Sequence, residues 1–229
     1  MTVQDDSWTQ WFSAAWAHRE EVLYPALFGT GLHGIYVLDS AVYLETFKQE
    51  SFDPRWLHSG VFESAPNSAH DSWLYVSSGL SNPWEDDTPD PNGVSGLGCE
   101  FVLESAARGE WAILRVQHVI AFQTLLSCGR FPGRGPLGVF DRIPLRASIT
   151  PEPSALRWLM LAPPARFPSS LRLPAGSIDL LQTIGITDAE AQYARDHSGE
   201  ALLEVLAAAG AFPVTDPSRT CTVSPAKAV

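Results

Sequence analysis

The stretch 72–104, SWLYVSSGLSNPWEDDTPDPNGVSGLGCEFVLE, constrains the fold more than any other part of the chain. Two short apolar runs, 73–76 and 101–103, flank a loop dense in Gly, Pro and Asp. Each run is rich in β-branched or aromatic residues and bounded by turn formers, so each reads as a strand. Within the loop, Trp84 is followed by Glu85, Asp86, Asp87 and Asp90, which places an indole amid negative charge. The rest of the chain is expected to hold this stretch as the middle of a sheet.

Before it, residues 7–28 predict a helix. Trp8, Trp11, Phe12, Ala15, Trp16, Val22, Leu23, Ala26 and Leu27 fall near the i, i+3, i+4 pattern. Ser7 and Gln10 have capping-box spacing, and Gly29 or Gly31 can end the helix. The tryptophan stripe reads as a core face. Segments 35–38 and 42–46 read as neighbouring strands, and 56–63 as a weaker one. After the central strands, 110–128 is the longest helix, apolar on more than one side. Strands are expected at 156–161, 171–173 and 177–184. Thr187 with Glu190 forms a second capping-box pattern opening a helix to 195, and another helix runs over 199–209. The pattern predicts an α+β fold, a mixed β-sheet flanked by helices. It divides into an N-terminal helix (1–32) packing on a domain (33–210), followed by a loose proline-containing tail (211–229).

Charge narrows the partners. Acidic residues number 26 against 15 Lys and Arg, a net charge of −11 on 229 residues. Such a surface disfavours nucleic acid and anionic membranes, both polyanions, and favours a basic protein. Cys99, Cys128 and Cys221 are odd in number and widely spaced, which suits neither a disulfide framework nor a zinc site and fits a reducing compartment. The opening MTVQDDSWTQWF lacks the basic and apolar regions of a secretory leader, and no apolar run is long enough to span a membrane, so a cytoplasmic protein is expected.

Catalytic signatures are missing from the pattern. No two of the six histidines lie three or four residues apart. The run Gly93-Val94-Ser95-Gly96-Leu97 fails the nucleophile-elbow pattern at Leu97, and the glycines near 93–98 precede a strand, where a dinucleotide fingerprint needs a helix. They are read instead as a sharp turn or bulge leading into strand 99–104. No metal, cofactor or catalytic residue is predicted. The paired carboxylates Glu100 and Glu104 lie on one strand face, leaving as alternatives a hydrolase that uses Glu100 with a histidine from elsewhere, or a structural protein with no dedicated partner.

The order of these segments resembles the Suppressor of Fused-like domain in its compact bacterial form, over residues 33–210. The matching motifs are the strand end Tyr75-Val76-Ser77-Ser78-Gly79-Leu80-Ser81, the strand Gly98-Cys99-Glu100-Phe101, the helix opening at Trp111, and the terminal helix pair led by Thr187 and Glu190. Ser77 stands where the family usually has threonine; both carry a hydroxyl. The resemblance implies a binding module with no reaction of its own. Animal members are cytoplasmic negative regulators of Hedgehog signalling that grip a transcription-factor peptide, partly as an added strand. Bacterial members resemble immunity proteins encoded with toxins. An acidic immunity protein suits a basic toxin, with Trp84, Glu85, Asp86, Asp87 and Asp90 as the expected contact.

Overall fold

Helical backbone runs from Gln4 to Phe28 in the computed structural model, which describes residues 4–84 and 90–223. It comprises α1 (Gln4–Ala17), a π-helical turn (His18–Leu23) and α2 (Tyr24–Phe28). A π turn takes one residue more than an α turn. The buried positions Ala15, Arg19, Tyr24 and Phe28 are therefore spaced by four, five and four. The tryptophan stripe does not supply the core: Trp8, Trp11 and Phe12 are half-buried and Trp16 is 41% exposed. The reason is placement. α1 rides over the loop at 82–84, and the chain first packs on the sheet at the π turn and α2.

The strands are β1 (Leu32–Val37), β2 (Gly60–Ser64), β3 (Trp73–Ser78), β4 (Val94–Ser105), β5 (Arg142–Pro144), β6 (Leu156–Ala162), β7 (Ser170–Leu173), β8 (Gly176–Thr187) and β9 (Val214–Thr215). They form one mixed sheet in the order β1-β2-β3-β4-β8-β6-β5, with β7 beside β8 and β9 beside β4. β4 is parallel to β8 and β9; the other pairings are antiparallel. β8 follows β4 as far as the Leu103–Thr183 pair, while its other side pairs with β7 and then β6. β9 takes up the pairing of β4 where β8 stops, opposite Glu104 and Ser105.

Helices cover both faces. α3 (Glu110–Ser127) lays Ala112, Val116 and Ile120 on Tyr75, Phe101, Leu103, Leu161 and Leu181. On the other face, Tyr24 and Phe28 cover Leu74, Val76, Val102 and Leu180. Beside them α4 (Asp188–Asp196) and α5 (Gly199–Ala208) cover Met160, Ile184 and Ile186. Each such burial is worth about 1.5–3 kcal/mol. The fold is α+β, as the sequence pattern predicts.

Three expectations change. Segment 42–46 is a π-helical turn: Asp39 accepts from the Ala41 amide (2.8 Å) and starts a turn that buries Val42 and Tyr43, overriding their β propensity. Trp56 lies in a 3₁₀ helix (Pro54–His58) capped by Asp53, so the strand begins only at Gly60. The segment after 210 is no loose tail up to 223, because β9 joins the sheet and Arg219 reaches a buried glutamate.

Candidate functional site

The end of β3 and the start of the loop behind it are shaped around one carboxylate. β4 alternates, so Glu100, Val102 and Glu104 share the face toward α2, among buried neighbours. Glu100 is fully buried. Its Oε1 accepts from the amides of Gly79 (3.0 Å) and Ser81 (3.0 Å) and from the Ser81 hydroxyl (2.6 Å). Its Oε2 accepts from the Ser77 hydroxyl, which itself accepts from the Phe101 amide at 2.7 Å. Gly79 makes this turn possible. Its φ is +127°, and a Cβ there would lie 2.5 Å from Ser59 Oγ and 2.7 Å from the His58 carbonyl.

The balancing charge comes from the π turn. Arg19 is fully buried with its guanidinium 4.0 Å from Glu100. It donates to Ser78 Oγ (3.0 Å), Ser81 Oγ (2.8 Å), Asn82 Oδ1 (2.7 Å) and Glu20 (3.1 Å). Ser81 thus accepts from Arg19 and donates to Glu100. The Tyr24 hydroxyl donates to the Ser77 carbonyl at 2.5 Å; burial and the nearby Glu100 charge push its pKa well up. A buried ion pair holds only when its remaining donors and acceptors are met, and here neighbouring hydroxyls and amides meet them.

The loop leaving this junction forms an aromatic cleft with α1. Trp8 Nε1 donates to the Pro83 carbonyl at 3.3 Å. Trp8 and Phe12 make one wall, Pro83 and Trp84 the other, over Trp56, Leu80 and Leu97. The cleft volume is about 40 Å³. Arg55 lies over the Trp84 ring, 5.1 Å from its centroid, with its charge held by Asp53 at 2.6 Å. This bond holds the Asp53 carboxyl below the usual carboxylate range.

The structure brings Tyr75, Gly79, Ser81 and Glu100 to one sheet end or strand pair, but gives them structural duties. The Tyr75 hydroxyl accepts the Gly109 amide at 2.9 Å, tying β3 to the start of α3 beside half-buried Trp111. Burial pushes the Tyr75 pKa up to about 12. Gly98, at φ +77°, sits in the register shift between β4 and β8, the bulge expected from the glycine run. Glu190 lies near the far end of β8, away from the cleft, where it caps α4 and pairs with Arg219 through two 2.7 Å contacts. Glu104 accepts from Ser72 at 2.6 Å. Asp90 is exposed and accepts from the Asn92 amide at 2.9 Å. Glu85, Asp86 and Asp87 lie outside the described residues.

The hydrolase alternative is corrected by these contacts: Glu100 does not line the cleft, and both its oxygens are occupied by the β3 turn. Among the described residues, no three His, Cys, Asp or Glu side chains gather as a metal site, and no helix is long and apolar enough to cross a membrane. Sequence reasoning missed Arg19, Trp8 and Phe12 as site residues. Arg19 lies four residues after Ala15, in phase with the buried stripe, but a charged side chain carries no apolar signal, and the π turn shifts the phase only after it.

With this geometry in view, comparison with known proteins identifies the class. The family model described as Suppressor of fused protein (SUFU) matches residues 55–220. The chain belongs to the Suppressor of fused family. Among solved structures, Drosophila Suppressor of Fused superposes with a TM-score of 0.59 at 19% identity, over 73% of this chain and 44% of that one. The chain thus spans under half of the Drosophila chain. A Sufu–Fu complex gives 0.58 at 19% identity, over 79% and 87%. A SUFU homologue from Neisseria gonorrhoeae gives 0.54 at 16% identity, over 95% and 100%. No curated protein matches the sequence. The second of these neighbours was solved as a complex of Sufu with Fu.

Proposed function

We propose that this chain is a non-enzymatic, cytoplasmic protein-binding module that neutralises a basic toxin as an immunity protein. The observation that carries this reading is the cleft walled by Trp84, from which the acidic run Glu85, Asp86, Asp87 and Asp90 continues in sequence. Family membership and the net charge of −11 support it. Trp84 serves as an apolar anchor, and the acids steer a cationic partner by raising its encounter rate.

The test begins with co-purification against the products of neighbouring genes. A basic protein is the expected catch. Asp86→Lys combined with Asp87→Lys then lowers the association rate by about tenfold at low salt, and the difference shrinks as salt screens the charges. An association rate indifferent to both substitutions discards the acidic run as a contact.

A further inference from the structure

The cleft is built jointly by the family domain and a helix that precedes the family-matched region. Residues 55–220 match the family, yet Trp8 and Phe12 lie before it. We infer that α1 completes a socket for one aliphatic side chain of the partner, carried in a segment whose flanking residues are lysine or arginine. This deepens, and rests on, the binding reading above.

The size and lining set the chemistry of the occupant. A cavity of about 40 Å³ accepts about three water-sized spheres, the bulk of a single small aliphatic side chain. Its surroundings are mostly apolar: Trp8, Phe12, Trp56, Leu80, Leu97 and Trp84. Arg55, His58, Ser59, Asn82 and Thr124 also line it, and over its apolar majority an apolar group displaces loosely held water favourably. Charge selects the flanks. Arg55 at the rim is already neutralised by Asp53, whereas the sequence beyond Trp84 is acidic and the whole chain carries −11. A neutral or acidic segment gains nothing from that field, and a basic one is drawn to it.

α1 is held in place to do this. The Trp8 indole N–H is bonded to the Pro83 carbonyl, and Arg19, on the following turn, is anchored in the Ser78, Ser81 and Asn82 contacts. The same arginine therefore fixes both walls, the helix that carries it and the loop stem it binds.

The experiment uses the full chain and two synthetic peptides, acetyl-Lys-Arg-Leu-Arg-Lys-amide and its central-serine counterpart, titrated by calorimetry at low salt. Burying the leucine tip favours the first peptide by about tenfold or more. Trp8→Ala removes a wall and Leu97→Phe fills the space; each abolishes the leucine preference while leaving the serine peptide's weaker binding unchanged. Circular dichroism confirms that each variant is folded, and the filled variant keeps the test open if removal of Trp8 releases α1. Equal binding of the two peptides to the unmodified chain overturns the socket and leaves the acidic reading standing. A leucine preference that survives both substitutions also overturns it. Failure of both peptides to bind removes the acidic reading and the socket with it.

Discussion

Replacing Glu100 by glutamine tests whether the Arg19–Glu100 contact organises the β3 turn. Glutamine is nearly isosteric and can leave its Oε1 where it accepts from the Gly79 and Ser81 amides and the Ser81 hydroxyl. Its Nε2 then meets the Ser77 hydroxyl, which must turn from donor to acceptor while still receiving the Phe101 amide. Shape is kept and the charge is lost. Hydrogen bonds to charged groups are worth about 1.5–3 kcal/mol against 0.5–1.5 for neutral ones. Weakening several of these at a fully buried site, with Arg19 left behind at 4.0 Å, predicts a loss of about 3 kcal/mol. Arg19→Met should cost a similar amount through Ser78, Ser81 and Asn82. Because each single change already breaks the pair, the double variant should lose about 2 kcal/mol less than the sum. Urea unfolding followed by both tryptophan fluorescence and far-ultraviolet circular dichroism measures the cycle. A loss under about 0.5 kcal/mol for Glu100→Gln, or strict additivity of the two changes, would falsify the view that this charge pair shapes the turn.

Two further outcomes follow from the far end of the sheet and from α3. Burial alone would raise the Glu190 pKa, but hydrogen bonds from Arg219 and from the Thr187 and Thr222 amides hold it below the usual value of 4.5. A lowered folded pKa stabilises the protein above the unfolded value, and that contribution disappears as pH falls through the folded one. Arg219→Ala should therefore cost about 3 kcal/mol at neutral pH, flatten the acid limb of the stability curve, and speed hydrogen exchange at Thr215. His118 shows the opposite proton bookkeeping. Burial, helped by Arg115, lowers its pKa from 6.5 to about 4, so the unfolded chain takes up the proton first. Stability should fall by at most about 3 kcal/mol as pH drops from 6.5 to about 4. His118→Leu should remove most of that slope in urea titrations at stepped pH; an unchanged slope would assign it to other groups.

The central sheet was legible in the sequence because its strands obey local rules. The run at 73–76 and the long strand through Phe101 are bounded by turn formers, and their alternation set Glu100 and Glu104 on one face. The capping pattern of Thr187 and Glu190 was equally local, and the structure shows both of its hydrogen bonds. Tertiary effects stayed hidden. Val42 to Thr46 has strand-like composition but is wound into a turn by Asp39. The tryptophans of α1 look like a core stripe, but Trp8 lies over the loop at 82–84 and Trp16 is exposed. Arg19 keeps the helical phase of Ala15 and became a buried ion because a carboxylate 81 positions later in the chain and the side chains of Ser78, Ser81 and Asn82 await it. Arg219 gave no periodic signal at all, since its partner Glu190 belongs to a different element.

The fork in which β8 leaves β4 and β9 takes its place has a consequence for synthesis on the ribosome. β4 can pair with β3 as soon as both have emerged, but its second edge waits for residues 177–183 and then for 214 and 215. Until then this strand, buried along its second half in the finished fold, offers an open row of amides and carbonyls, which other polypeptides can pair with. Translation speed across the intervening hundred or so codons, and chaperone occupancy during that interval, should therefore govern the soluble yield more than the stability of the finished molecule does.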